Sequence, residues 1–124
     1  MPKTIGSAMA IAIMLATGCT DPTDDARPSI APDCVDMSAD LTFSVELVDY
    51  AYHPPCVIVA TESPFELSNT GEAIHTFTID GQGIDIEIGP GETYRSEDGL
   101  DIRAGVYRVR CTLHPQMLGT IEVR

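Results

Sequence analysis

Near the C-terminus, the run Cys111-Thr112-Leu113-His114-Pro115-Gln116-Met117 puts a thiol, an imidazole and a thioether within seven residues. Cys and Met are soft donors, and Met is a poor ligand for zinc, magnesium or calcium. A Cys/His pair with a weak thioether is the donor set that copper cycling between Cu(I) and Cu(II) uses. A trigonal plane of two imidazoles and one thiolate then needs a second His. The chain has three His in all. His53, between Tyr52 and Pro54, reads as a solvated or packed turn residue. His75 lies in Ile74-His75-Thr76-Phe77-Thr78-Ile79, where it shares strand parity with Phe77 and Ile79. An imidazole facing an apolar core is costly unless its nitrogens are satisfied, and a metal would satisfy one. His75, Cys111 and His114 are therefore the candidate strong ligands, with Met117 as a weak fourth. Taken singly, Cys111 reads as a buried inert thiol, His114 as a turn residue and Met117 as core filler. Their joint spacing is what points to a metal.

The elements around these residues are short strands. Leu41, Phe43, Val45 and Leu47 alternate with polar residues, as do Ile84, Ile86 and Ile88. Tyr107, Val109 and Cys111 share one face, with Arg108 and Arg110 on the other, and Ile121 and Val123 repeat the pattern. Turn signals separate the runs: His53-Pro54-Pro55, Asn69-Thr70-Gly71, Asp80-Gly81-Gln82-Gly83, Gly89-Pro90-Gly91 and Asp98-Gly99. This spacing predicts an all-β domain over residues 41–124, an antiparallel Greek-key sandwich or barrel of seven or eight strands. No long helical period, internal repeat or coiled coil is present. The metal-ligand run falls on the turn between the last two strands.

The chain has 124 residues, 44% of them hydrophobic, enough for one core and no more. Seven Lys and Arg against nineteen Asp and Glu give a net charge of −12, the wrong sign for a nucleic-acid binder. Lys3 followed by the apolar run Ala8–Ala16 reads as an export signal over residues 1–18, too short to span a membrane. Leu15-Ala16-Thr17-Gly18-Cys19 resembles a bacterial lipoprotein cleavage box, in which Cys19 would become the lipid-modified first residue. The alternative is an ordinary signal cut nearby, with Cys19 incidental. Removing residues 1–18 deletes Lys3 and takes the charge to −13. Residues 19–40, with Pro22, Pro28, Pro32 and scattered Asp, read as an acidic tether between membrane and domain.

The segment from about residue 41 to 124 resembles the cupredoxins, the blue (type 1) copper proteins. The resemblance is carried by Tyr52-His53-Pro54-Pro55, Leu67-Ser68-Asn69-Thr70-Gly71 through His75, Gly89-Pro90-Gly91-Glu92-Thr93, Gly105 through Cys111, and Gly119-Thr120-Ile121-Glu122-Val123. Two residues between successive ligands, with Pro after His114, are most similar to the amicyanin-like branch. Thr76 stands where the family often has an Asn that ties the two ligand loops together, and Gln116 where an aromatic is common. The resemblance implies one copper held by His75, Cys111, His114 and axial Met117, and a single-electron carrier rather than an enzyme. It implies a solvent-exposed edge of His114 as the electron port, inside an apolar collar of Pro115, Met117 and Leu118. A copper carrier or storage protein using the same site is the alternative; Met117 as the only Met past residue 37 argues against it. Three His are too few for a second copper centre of the multicopper-oxidase kind.

With Cys19 assigned to lipid and Cys111 to copper, Cys34 and Cys56 remain, and outside the cytosol they are expected to pair. Two unpaired buried thiols, or a bridge that consumes Cys111, are the other possibilities. The expected setting is a monomer anchored to a membrane by Cys19 and facing the periplasm or cell exterior. Its expected partner is an exported or membrane-bound redox protein with a basic docking face, steered by acids such as Glu72 and Asp80. Arg108 and Arg110, outward on the strand entering the ligand run, would oppose that steering.

Overall fold

The computed structural model describes residues 33–124; the expected export signal, Cys19 and most of the expected tether lie outside the described residues. Ten strands follow one another: β1 (Val35–Asp36), β2 (Phe43–Val48), β3 (Ala51–His53), β4 (Cys56–Val59), β5 (Phe65–Asn69), β6 (His75–Ile79), β7 (Ile84–Ile88), β8 (Thr93–Ser96), β9 (Gly105–Arg110) and β10 (Leu118–Val123). They form two sheets, one of six strands in the order β1-β4-β10-β9-β6-β7 and one of four in the order β3-β2-β5-β8. The all-β sandwich matches the sequence expectation in class. It differs in detail, because the sheets are mixed: β4 runs parallel to β1 and β10, and β2 runs parallel to β5. The strand count exceeds seven or eight because β1 and β3 have only two and three residues, too few to show a period.

Alternation explains the inward face of most strands. Along β2, Phe43, Val45 and Leu47 are buried while Ser44 and Glu46 face solvent. They meet Val57, Val59, Phe65, Leu67, Phe77, Ile79, Val109, Ile121 and Val123 in one core. Burying such apolar surface is worth about 25 cal/mol per Å² and is the main force holding the two layers together. Leu41, read as the first inward residue of that strand, is 93% exposed and precedes β2. The folded domain also begins before residue 41. Cys34 is disulfide-bonded to Cys56, β1 pairs with β4, and the Met37 N–H donates to the Ile58 carbonyl. The bridge and the extra strand fasten the end of the tether to the sheet.

Candidate metal site

β6 is buried at every position, since it lies between β9 and β7 within the larger sheet. It begins with His75, whose side chain has no exposed surface. The loop before it, residues 70–74, is fastened from two sides. Buried Asn69 donates through Nδ2 to the carbonyls of Ala73 and Ile88, both at 2.8 Å, and accepts the Gly71 N–H at 2.9 Å. Asp49 accepts the N–H of Glu72 at 2.9 Å and that of Ala73 at 3.2 Å. The same carboxylate receives His75 Nε2 at 2.7 Å. These partners, the Glu72 N–H foremost and the His75 ring next, hold the Asp49 carboxyl below its usual range against partial burial. With Nε2 donating, His75 Nδ1 is left as a bare lone pair, and it is buried with no hydrogen-bond partner.

The second half of the site is the loop from β9 to β10. Cys111 is buried and free, the Cys111 N–H donates to the Met117 carbonyl at 3.1 Å, and the Met117 N–H donates to the His114 carbonyl at 2.9 Å. The loop is tied to β6 by Thr76. Its N–H points at Cys111 Sγ at 3.3 Å, and its hydroxyl accepts the Thr112 N–H at 2.9 Å. That hydroxyl is 2.9 Å from the Thr78 hydroxyl, which donates to Asp85 at 2.8 Å. With the Thr78 hydroxyl given to Asp85, the Thr76 proton is shared between the Thr78 hydroxyl and, at a longer 3.4 Å, the Thr112 hydroxyl, so hydrogen bonds link Thr112, Thr76, Thr78 and the Asp85 carboxylate. Thr76 thus ties the loop of Cys111 to the start of β6 beside His75. Behind it, Tyr52 donates to the Thr76 carbonyl at 2.6 Å; burial raises the Tyr52 phenol far above its usual pKa, the nearby Cys111 thiol adds to this, and Arg110 opposes it.

His75, Cys111 and His114 bring one donor atom each into a group whose members all lie within 4.8 Å of one another. Met117 has no exposed surface and ends the loop that carries Cys111 and His114. His53 takes no part: it ends β3 in the other sheet, exposed and opposite Glu46. Met117 also cannot belong to a surface collar, being fully buried, whereas Pro115 and Leu118 are exposed. The exposed apolar residues beside the histidines are others. Tyr50 places its ring 4.7 Å from that of His114, and Ile74 offers its carbonyl to His114 Nε2 at 3.3 Å. Leu113 is half exposed on the loop itself. Sequence reasoning missed Asp49 and Tyr50, which occupy a two-residue β2–β3 turn that contains neither Gly nor Pro. Asp80, expected to steer a partner, is paired with Arg110 through two hydrogen bonds of 2.6 and 2.8 Å, so each cancels the other's charge.

A bare buried imidazole nitrogen, a buried thiol and a second imidazole, with a buried thioether in the same loop, fit a copper ion better than a hard cation. A scan against protein-family models found no match, and no curated protein sequence matches the chain. Solved structures do match. The Cu(I) form of an amicyanin variant superposes with a TM-score of 0.56 at 22% identity, over 68% of this chain and 84% of that one. A purple cupredoxin from Nitrosopumilus maritimus gives a TM-score of 0.52 at 18% identity, over 65% of this chain and 98% of that one. The fold is that of the cupredoxins. A Cu-containing nitrite reductase from Thermus scotoductus matches at 24% identity with a TM-score of 0.56 over 68% of this chain, which spans only 22% of that enzyme's length. The sandwich here thus carries a His–Cys–His group in which His75 and Cys111 are buried and His114 is half-buried, with the β2–β3 turn in contact with both imidazoles.

Proposed function

We propose that this chain is a type 1 copper protein that carries single electrons between exported or membrane-bound redox partners. The observation that carries the reading is the buried, partnerless Nδ1 of His75 beside Cys111 and His114, three donor atoms within 4.8 Å. Copper, when bound, supplies the one-electron couple between Cu(I) and Cu(II). His75, Cys111 and His114 would hold it, with Met117 as the weak axial donor. The chain's own work is to keep those donors still. Asp49 and Asn69 fix the approach to His75, and Thr76 fixes the Cys111 loop by its N–H and its hydroxyl. Donors that cannot relax toward the preference of either oxidation state leave little to reorganise when an electron arrives or leaves. Half-buried His114, the ligand nearest solvent, is the proposed port. Tyr50, Ile74, Leu113 and Pro115 are its exposed apolar surroundings. Beyond His75 and His114 the sequence has only His53, too few for a second copper centre of the multicopper-oxidase kind, and this favours a carrier.

Residues 1–18 are proposed as a lipoprotein signal, Cys19 as the anchor, and residues beyond it as a tether that keeps the domain near an outward-facing membrane surface. The net charge of −12 favours a partner with a basic docking face. Exposed Glu72, next to the port, is the acid placed to steer it, since Asp80 is neutralised by Arg110. The test of the reading is a visible absorption spectrum of the full chain on addition of Cu(II). One equivalent should give an intense blue thiolate-to-copper band. A colourless protein at full copper occupancy would rule the reading out.

A further inference from the structure

Two consecutive residues of one turn engage two different imidazoles: Asp49 binds His75 Nε2, and Tyr50 lays its ring against His114. Nothing in the ligand spacing calls for a carboxylate there. The contact joins residues 26 apart in sequence, and it is built. Both Asp49 oxygens are held by backbone N–H groups of Glu72 and Ala73, which fix the charge in place. Room for it depends on Gly71, where an added Cβ would overlap the carboxylate oxygen and lie 2.8 Å from Asp49 Cγ. The side chain is 28% exposed, so its field is only partly screened by water.

We infer that Asp49 is a positioning residue that sets the redox balance of the metal site, holding His75 with Nδ1 bare and biasing the site toward Cu(II). The inference rests on the copper reading above. An imidazole N–H donating to a carboxylate makes the opposite nitrogen a stronger electron donor, and a fixed negative charge beyond it favours the metal ion of higher charge. Both effects stabilise Cu(II) relative to Cu(I) and lower the reduction potential. Removing partners of this kind typically changes metal affinity about 10- to 100-fold.

Asp49→Asn removes the charge while its amide oxygen can still accept one of the three N–H groups. Gly71→Ala keeps the charge but pushes it off His75. Copper stoichiometry and the blue band report whether the site is a copper site at all; the reduction potential of each variant against wild type reports on Asp49. Asp49→Asn should bind one copper, stay blue and lose about tenfold in Cu(II) over Cu(I) preference, a rise of about 59 mV for a one-electron couple. Gly71→Ala should shift in the same direction. Potentials unchanged in both blue variants would overturn the inference, as would a fall in Asp49→Asn. A readout without copper is the ¹⁵N spectrum of the His75 ring in the metal-free chain. It should show the proton on Nε2 in wild type and a weakened Nε2–H hydrogen bond in Asp49→Asn. A proton on Nδ1 in wild type would contradict the inference even if the copper reading had failed.

Discussion

The two imidazoles of the site are held by opposite means. His75 heads a strand that is buried throughout, and its ring is fixed at Nε2 by a 2.7 Å bond to a carboxylate that is itself anchored to the backbone. His114 sits in a loop, half-buried, and outside the His–Cys–His group its ring meets only the Ile74 carbonyl at 3.3 Å and the flank of Tyr50 among the described contacts. Cys111 stands between the two, in the loop by sequence but bonded to β6 through the Thr76 N–H. On the copper reading proposed above, the donors must not move, yet an electron must reach them from a partner. Dividing those tasks between a strand-borne His75 and a loop-borne His114 would meet both needs. Stiffness belongs to the His75 side and access to the His114 side.

The largest expected effect breaks both halves at once. Cys111→Ser removes the thiolate that gives rise to the charge-transfer band, so blue absorption should vanish entirely in a spectrum of the copper-treated protein. The contrast between the imidazoles is tested next by truncating each to Gly. His114→Gly opens a gap reachable from solvent, and added imidazole should restore much of the blue band. His75→Gly leaves a gap with no exposed surface beside the Asp49 carboxylate, and imidazole should restore nothing. Equal rescue in both variants would mean that burial does not separate the two ligands.

The loop half was legible in the sequence and the strand half only partly so. Cys111, His114 and Met117 lie within seven residues, and local spacing is what a sequence displays directly. His75 emerged through strand parity, yet parity on β6 is a weaker guide than it looks, because Thr76 and Thr78 on the opposite face are buried too. They can be, since each hydroxyl is spent in the chain from Thr112 to Asp85. Asp49 and Tyr50 were not legible at all. Their turn has no Gly or Pro to announce it, and their role exists only once β2 and β6 have been brought together by folding. The collar that the family resemblance implies fails at Met117, because the loop's own hydrogen bonds turn that residue inward, which no resemblance of sequence displays.

Away from the site, the Cys34–Cys56 bridge closes a separation of 22 residues and should contribute about 3 kcal/mol by restricting the unfolded chain. Replacing both with Ser should lower Tm by about 10–20 °C in calorimetry, while the blue spectrum of the folded fraction stays as it was. A change in that spectrum would show that the bridge, far from either ligand half in sequence, also shapes the site. Thr76→Val should cost somewhat less, about 1–3 kcal/mol, because the Thr112 N–H loses its acceptor and the Thr78 hydroxyl its neighbour. Denaturant unfolding measures that loss. The same substitution loosens the Cys111 loop but not His75, so exchange broadening in the metal-free protein should appear at residues 111–117 and spare residues 72–75.

The smallest expected effect concerns Met117, which belongs to the loop half but is as fully buried as His75. Its main-chain N–H and carbonyl both close the loop, on His114 and Cys111, and a Leu in its place would keep both bonds. Leu and Met have similar volumes, and swaps of that kind usually cost less than about 1.5 kcal/mol in a packed core. If the thioether is only a long axial donor, Met117→Leu should retain one copper and its blue colour. Loss of that donor withdraws electron density that favours Cu(II), so the reduction potential should rise. This is the same direction as Asp49→Asn from the opposite side of the site, and because the two side chains act through different ligands their shifts should add within error in the double variant. Marked non-additivity would mean that the two halves are coupled and the division between them is false. Loss of copper from Met117→Leu alone would instead make Met117 a principal ligand, and the stiff and accessible halves would have to be redrawn around it.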